Sequence, residues 1–128
     1  MYREKQKRYS SAELQSFESM ITERLEKANI ELEAIVVSLG RKQENSIDVN
    51  IKMLEDGVDG AEKERMSQLA ARQRKFIKEL EAALVRIKHG TYGICIITGE
   101  LISKARLKSV PHTRHSIAVK LSGKAESR

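Results

Sequence analysis

The sequence predicts a mainly α fold, in which a long antiparallel two-helix coiled-coil hairpin is followed by a small C-terminal globule. Two stretches of nearly equal length each carry one apolar stripe at helical spacing. Charged residues make up 33% of the chain and aromatic residues 4%, a composition typical of long helices. After Gly90 the apolar residues fall in short runs instead. This last part is expected to form a short β-hairpin and a short helix.

The first predicted helix runs from Ser11 to Leu39. It begins with a capping box, because the Ser10 hydroxyl can accept the N–H of Glu13 and the Glu13 carboxylate can reach back. Gly40 is expected to end the helix. The residues at steps of three and four that form its apolar stripe are Leu14, Phe17, Ile21, Leu25, Ala28, Leu32, Ile35 and Leu39.

The second predicted helix runs from Glu62 to Lys88. Gly90 directly follows the last turn, at the position where glycine in the left-handed conformation commonly caps a helix. The basic residues Lys88 and His89 lie in the last turn, where they can interact favourably with the negative end of the helix dipole. Both helices would be about 40 Å long at 1.5 Å per residue, so their narrow stripes can cover one another as an antiparallel pair. The stripe of the second helix is Met66, Leu69, Phe76, Ile77, Leu80, Leu84 and Ile87.

Net charge and predicted domain organisation agree with a two-helix hairpin followed by a globule. The chain of 128 residues carries a net charge of +6, and its basic excess lies at both ends. A basic balance favours acidic partners, nucleic acid included. The predicted parts are a basic N-terminal segment (1–10), the hairpin (11–89) with its tip at about 40–61, the globule (90–121) and a tail (122–128).

Several classes of protein are excluded by the sequence patterns. The single cysteine allows no intrachain disulfide, no apolar run has membrane-spanning length, and the start lacks the apolar region of a signal peptide. A monomeric cytoplasmic protein without a membrane partner is therefore expected. We find no Gly-rich phosphate loop and no catalytic triad pattern, so the protein is not expected to be an enzyme.

Two short motifs follow the second helix. One is the run 92–102, YGICIITGELI, and the other is 106–111, RLKSVP. They resemble the C-terminal motif of the TraR/DksA (DnaK suppressor) family, which reads Y-G-x-C-x-x-C-G-x-x-I, then R-L-x-A-x-P, then C-x-x-C. Residues 72–88 also look like the second coiled-coil helix of that family.

The resemblance implies a zinc finger that has lost its ligands. In the family two C-x-x-C pairs bind zinc through four thiolates. Only one thiolate remains, beside two hydroxyls and a valine, so we expect no zinc and a globule held by apolar packing. The residues expected to be more buried than their counterparts in zinc-bearing members are Ile94, Ile97, Leu101, Leu107 and Val119. The former ligand positions are Cys95, Thr98, Ser116 and Val119.

A shifted metal site is an alternative to the loss of zinc. His112 and His115 lie about one helical turn before the lost third and fourth ligands. With Cys95 they could form a different three-ligand set. The competing interpretation is that both histidines are surface residues of a basic segment, and that Cys95 is an inert buried remnant.

The resemblance also implies a function. Members of the family enter the secondary channel of RNA polymerase with the hairpin, and acidic residues at the tip alter promoter-complex stability, often with the nucleotide ppGpp as effector. The family's tip motif D-x-x-D-x-A matches Asp56, Asp59 and Ala61. Asp48 is the alternative tip acid if the second helix begins further upstream.

Basic residues are the candidates for contact with the polymerase or with ppGpp. Two functions of other classes remain open: a basic nucleic-acid-binding protein, and a helical adaptor that dimerises through apolar surface. The scarcity of aromatic residues in the globule argues against recognition by base stacking, and sequence-specific DNA binding is not expected. The candidate basic contacts are Arg72, Arg74, Lys75, Lys78, Arg106, Lys108 and Arg114.

Overall fold

The structure, a computed structural model, describes residues 7–44 and 58–122. The mainly α class and the pair of long helices packed together are confirmed. In the described ranges, no helix is both long and apolar enough to cross a membrane. The helices of these ranges are α1 (Ser11–Glu44), α2 (Val58–His89), α3 (Lys104–Ser109) and α4 (Ile117–Ser122).

The chain divides into two compact units. Unit 1 comprises Met1–Arg24 and Glu79–Arg128, and unit 2 comprises Leu25–Lys78. Unit 1 contains the first part of α1 and the last part of α2, and unit 2 contains the last part of α1 and the first part of α2, as an antiparallel helix pair requires.

In unit 2 the two long helices meet through small residues. Ala28 and Ala70 are buried, and their small side chains let the helix backbones approach closely. Ile77 is also buried. Gln73 falls in the apolar stripe of α2, and its amide donates to the Ala28 carbonyl oxygen at 3.0 Å. The polar residue of the stripe is therefore satisfied by the facing helix.

The core of unit 1 is built around three aromatic rings, which we call the aromatic cluster. Tyr9 packs edge-on against Phe17 at a centroid distance of 5.5 Å, and Phe17 packs against Tyr92 at 5.3 Å. All three rings are buried. Aliphatic side chains of α1 and α2 complete this core, among them Ile21 and Leu80, which are fully buried. The cluster thus joins the N-terminal segment, α1 and the turn after α2.

Tyr9 is fixed on two sides. Its hydroxyl donates to the Ile102 carbonyl oxygen, and its ring lies against the backbone of Gly93. Gly93 has a φ of +81°, and a Cβ at this position would lie 2.7 Å from the Tyr9 ring. Only glycine can both adopt this backbone conformation without strain and leave room for the ring.

The predicted caps are confirmed. The Ser10 N–H donates to Glu13 Oε1 at 2.9 Å, and the Glu13 N–H donates to Ser10 Oγ at 3.2 Å. At the end of α2, Gly90 has a φ of +75°, and its N–H donates to the Ile87 carbonyl at 3.0 Å. The N–H of Thr91 reaches the Arg86 carbonyl at 2.9 Å, which completes a Schellman motif.

Both long helices extend beyond their predicted ends. The first continues through Gly40 to Glu44 instead of ending at Leu39, and the second begins at Val58 rather than Glu62. A single helical glycine costs only about 1 kcal/mol relative to alanine, which packing along a long helix pair readily offsets. The prediction gave Gly40 too much weight as a helix breaker.

The globule differs from its prediction in several details. In place of a β-hairpin, the described residues contain one isolated antiparallel bridge, between Ile94 and Leu101. The globule contains two short helices, α3 and α4, where one was predicted. The start of α3 is marked by Ser103, whose side chain accepts the Arg106 N–H.

The apolar residues of the globule are buried to different degrees. Leu107 and Val119 are buried, whereas Ile94 and Leu101 are half-buried. Ile97 is 44% exposed, so it contributes little to this packing. Ile97 belongs to the tight turn after Cys95, where the chain is too sharply bent to direct every side chain inward.

A histidine–carboxylate contact joins the globule to α2. His112 Nε2 lies 3.1 Å from Glu79 Oε2. Burial lowers the pKa of His112 below 6.5, with Glu79 acting in the opposite direction and Arg86 adding to the lowering. The net effect favours a neutral imidazole in the folded protein.

We expect Gly93→Ala to destabilise the protein by about 3 kcal/mol or more, because it adds a clash with the Tyr9 ring to the strain of a positive φ. Gly99→Ala is the matched control, since Gly99 has a φ of +74° but no atom within 4 Å of its Cβ position. This control should cost only about 1 kcal/mol. Denaturant unfolding measures both values, and equal losses would contradict the role given to Tyr9.

We expect the stability of the protein to fall as the pH drops below 6.5, and His112→Gln to reduce this dependence. Below that pH the unfolded state binds a proton that the folded state resists, so protonation favours unfolding. Denaturant unfolding at several pH values between 5 and 7.5 measures the effect. His89→Gln, at an exposed histidine, is the control, and the same pH dependence in wild type and His112→Gln would refute the assignment.

Candidate functional site

The four former ligand positions lie on two segments of the globule that are held together by backbone hydrogen bonds. Residues 95–99, here called the Cys95 loop, form a tight turn in which the Gly99 N–H donates to the Cys95 carbonyl at 2.8 Å. The Ile96 N–H donates to the Arg114 carbonyl at 3.0 Å, which joins the loop to the segment before α4. Ser116 and Val119 lie at the start of α4.

Cys95 occupies the centre of this arrangement. Its side chain is buried, and burial raises the pKa of the thiol. Hydrogen bonds from the Thr98 side chain and from the backbones of Thr98, Ser116 and Ile97 oppose this, and together they lower the pKa to about 7. One sulfur atom therefore receives several donors at the place where the family has a metal.

The residues at the former ligand positions do not fit a four-thiolate zinc site. The Thr98 hydroxyl accepts the Glu100 N–H at 3.2 Å, and the Ser116 hydroxyl accepts the Val119 N–H at 3.3 Å. Val119 offers only methyl groups and is buried. The donor set is thus one sulfur and two hydroxyl groups engaged in local turns, which lacks the thiolates that structural zinc requires.

The shifted metal site is not supported either. Within the described ranges, no three His, Cys, Asp or Glu side chains are close enough to hold a metal ion together. His112 faces Glu79 on α2. The carbonyl oxygen of His115 accepts the Arg106 Nε–H at 2.9 Å, so the backbone at His115 is part of an internal network.

Arg106, a predicted contact residue, is engaged inside the globule. Besides the bond to His115, its guanidinium donates to Thr113 Oγ1 at 3.3 Å. Thr113 is buried, and its hydroxyl donates to the His115 carbonyl at 3.1 Å. Arg106 therefore stabilises the segment before α4, whatever further contacts it makes.

The other basic candidates lie on the surface. Lys108 and Arg114 are exposed in unit 1. Four exposed basic residues lie on α2 in unit 2, and steps of three and four place them in two neighbouring rows of the helix surface. These are Arg72 with Lys75, and Arg74 with Lys78.

The predicted tip acids lie largely beyond what the structure describes. Asp48 and Asp56 fall outside the described residues. Asp59 belongs to the first turn of α2, and Ala61 is exposed in the same turn. The choice between Asp48 and the Asp56/Asp59 pair therefore stays a prediction.

Two features of unit 1 escaped the sequence analysis. Tyr9 was assigned to a basic segment, although its hydroxyl reaches a carbonyl 93 residues away. Arg86, a charged residue of the second predicted helix, is half-buried and donates to the His112 carbonyl at 3.3 Å. Neither contact has a local sequence signal, because each depends on how distant segments fold together.

Comparison with known proteins adds independent findings. Residues 90–120 match the family model of the prokaryotic dksA/traR C4-type zinc finger. The chain is 30% identical over 86 residues to general stress protein 16O of Bacillus subtilis, covering 60% of this chain and 53% of that protein. It is 46% identical over 46 residues to the RNA polymerase-binding transcription factor DksA of Caulobacter vibrioides, covering 36% of this chain and 32% of that protein.

A solved structure shares the fold. The structure of transcription factor DksA2 from Pseudomonas aeruginosa matches with a TM-score of 0.77 at 22% identity, covering 91% of this chain and 87% of that chain. The curated relatives are matched less fully, since the chain spans about half the length of one and about a third of the other. The finger match and the two relatives support a protein of the TraR/DksA family, and the solved structure shows a shared fold.

Proposed function

We propose that this protein regulates transcription by binding RNA polymerase. One observation carries the proposal: the chain combines a finger-like segment of the dksA/traR type with the fold of transcription factor DksA2. A curated relative that bears the name RNA polymerase-binding transcription factor supports the choice of partner. The role is regulatory, and no residue of the chain is assigned a catalytic step.

In the proposed complex the helical pair enters the secondary channel of the polymerase. The exposed faces of α1 and α2 in unit 2 carry charges of both signs, such as Glu26, Lys27 and Arg72. Such a surface can lie along a polar channel wall and keep its charged groups solvated, which avoids the penalty of burying them.

Acidic residues between the two helices act near the polymerase active site. Asp56 and Asp59, with Ala61, form the literal tip motif, and Asp48 is the alternative acid. Carboxylates placed close to a catalytic Mg²⁺ can perturb its coordination or its hydration. Through this effect the protein changes the lifetime of promoter complexes.

Basic side chains provide the remaining contacts. The two rows on α2 (Arg72, Arg74, Lys75 and Lys78) and the globule residues Lys108 and Arg114 are exposed. Their charge suits acidic surfaces of the polymerase, or the phosphates of ppGpp as an effector. Arg106 contributes indirectly, since it holds the segment that carries Arg114.

The finger performs this role without zinc. In the family a four-thiolate metal site fixes the finger, whereas here the hydrogen bonds around Cys95 and the aromatic cluster link the same segments. The protein is therefore expected to bind polymerase under conditions that strip structural zinc from thiolate sites.

The first test is binding of the purified protein to RNA polymerase from the same organism, together with the lifetime of open promoter complexes. We expect the wild-type protein to bind and to change this lifetime. Asp48→Asn or the double variant Asp56→Asn/Asp59→Asn should still bind but lose the effect on lifetime, because only the tip charge is removed.

The pattern of loss identifies the tip acid. Glu64→Gln, an exposed acid further along α2, is the control for a change of charge alone and should behave as wild type. If the wild-type protein does not bind polymerase, the proposed function is wrong. Binding to duplex DNA that weakens steeply with salt would then favour the nucleic-acid role.

We expect a metal chelator to leave the melting temperature of the wild-type protein unchanged, and added zinc not to raise it. Structural zinc would otherwise contribute on the order of 10 kcal/mol to folding. The triple variant Thr98→Cys/Ser116→Cys/Val119→Cys restores four thiolates and serves as the control, which should bind one zinc ion. Stoichiometric zinc in the wild-type protein, with unfolding on chelation, would overturn this part of the proposal.

A further inference from the structure

The globule carries a cluster of exposed apolar side chains. Ile96 and Ile97 lie in the Cys95 loop, and each is about half exposed. On α4, Ile117 is also about half exposed, and Leu121, one helical turn further on, is 80% exposed. Single exposed apolar residues are ordinary, whereas a cluster of four large ones marks a surface that binds a partner. We call Ile96, Ile97, Ile117 and Leu121 the globule patch.

Backbone hydrogen bonds bring the two parts of the globule patch together. The Ile96 N–H donates at 3.0 Å to a carbonyl of the segment before α4. The backbones of Ile97 and Ser116 both donate to the Cys95 sulfur, and Ile117 directly follows Ser116 in the chain. The loop and the start of α4 therefore present their apolar side chains as one surface.

Basic side chains border the globule patch. Arg114 is exposed, and its carbonyl accepts the Ile96 N–H. Lys120 is exposed on α4, within the same helical turns that carry the apolar side chains. Residues 90–122 contain five lysines and arginines in total, against Glu100 as their one acid. A partner for this surface therefore needs apolar side chains with acidic groups beside them.

The first long helix has a surface with these properties. Ile30, Ala34 and Val37 follow one another at steps of four and three, so they form one row along α1, here called the outer row. All three residues are exposed, Ile30 to 68%. Together with Glu33 and Ser38 they line one shallow depression of the surface.

Acidic residues flank the outer row. Residues 25–40 contain three glutamates and one lysine. Glu26 and Glu33 lie one helical turn from Ile30 on either side, and both are exposed. The outer row is thus apolar with an acidic border, whereas the globule patch is apolar with a basic border.

From these two surfaces we propose that the globule patch of one copy of the chain binds the outer row of a second copy. Opposite charges border the two apolar areas, so this pairing places carboxylates next to basic groups. A contact between two patches would instead bring Arg114 and Lys120 close to their own copies, and a contact between two rows would bring glutamates together. Both surfaces are exposed in the single chain, so each is accessible to a second copy.

The proposed contact joins two different surfaces, and it is therefore heterologous. Each bound copy keeps one free patch or one free row, so further copies can add as the concentration rises. Because both surfaces are small, the contact is expected to be weak and to form mainly at about 0.1 mM protein and above. The dilute protein is expected to be a monomer.

The association has a consequence for the proposed function. The outer row lies on the helical pair that is proposed to enter the polymerase, so a second copy bound to this row competes with polymerase binding. This consequence rests on the proposed function, whereas the association itself does not.

Analytical ultracentrifugation of the full chain over a concentration series tests the association without polymerase. We expect the average mass to rise steadily above that of one chain, with no plateau at a dimer. The row variant, Ile30→Gln/Val37→Gln, should stay monomeric. The patch variant, Ile117→Gln/Leu121→Gln, should also stay monomeric. Val85→Gln is the control, because Val85 is an exposed apolar residue outside both surfaces, and it should associate as the wild-type protein does.

A mixture of the row variant and the patch variant identifies the pairing. The row variant keeps its patch and the patch variant keeps its row, so equal amounts should form a one-to-one complex that does not grow further. Thermal unfolding verifies that both variants keep the wild-type fold. Self-association of either variant alone at the same concentration, or no complex in the mixture, would overturn the proposal.

Lys120→Glu tests the charge matching, since it places an acid against the acidic border of the outer row. It should raise the dissociation constant about tenfold or more. An unchanged constant would contradict the pairing, which depends on opposite charges. A wild-type protein that stays monomeric at about 1 mM and binds vesicles of anionic lipid would assign the globule patch to a membrane surface and overturn the proposal.

Discussion

The fold of unit 1 depends on the insertion of Tyr9 beside the backbone of Gly93. The ring occupies space that exists because residue 93 has no side chain, and the hydroxyl donates to the Ile102 carbonyl. The Ile102 N–H in turn donates to the Gly93 carbonyl at 2.7 Å. A residue near the N-terminus thereby joins the two strand-like segments on either side of the Cys95 loop.

From this contact the packing extends through the aromatic cluster to the rest of the unit. Phe17, which packs against both tyrosine rings, belongs to α1. The Tyr92 hydroxyl donates to the Pro111 carbonyl and so connects the cluster to the turn at residues 111–114. The position of that turn determines where Arg86 and His112 lie. In a zinc-bearing finger a metal ion would join the loops, whereas here two tyrosine hydroxyl groups and one buried sulfur make comparable links. The result is a finger-like globule whose cohesion depends on segments outside the finger.

Much of this architecture could be predicted because it follows from local sequence. Apolar spacing predicted the two long helices, and Ser10, Glu13 and Gly90 predicted their caps, since a cap forms between residues that are a few positions apart. The same reasoning failed at Gly40, because packing along a long helix outweighs the preference of one residue. The exposure of Ile97 could not be predicted either, because alternating apolar residues do not reveal a tight turn.

The candidate site was less predictable for the same physical reason. The resemblance identified Cys95, Thr98, Ser116 and Val119 from their spacing, but nothing local indicates that donors from Thr98 and the α4 segment converge on one sulfur. Arg86 appears in the sequence as one more charge on a charged helix. Only the fold reveals that it is half-buried and donates to a backbone carbonyl. Long-range contacts of this kind lie beyond periodicity and composition.

We propose that Tyr9, and not a metal ion, holds the globule together. Hydrogen–deuterium exchange of the Cys95 and Ile102 amides tests it most directly, because these groups donate to the Glu100 and Gly93 carbonyls at 2.8 and 2.7 Å. The account predicts that Tyr9→Ala accelerates exchange at both amides, and that added zinc does not restore protection. Unchanged protection in Tyr9→Ala, or protection that appears only with zinc, would contradict it.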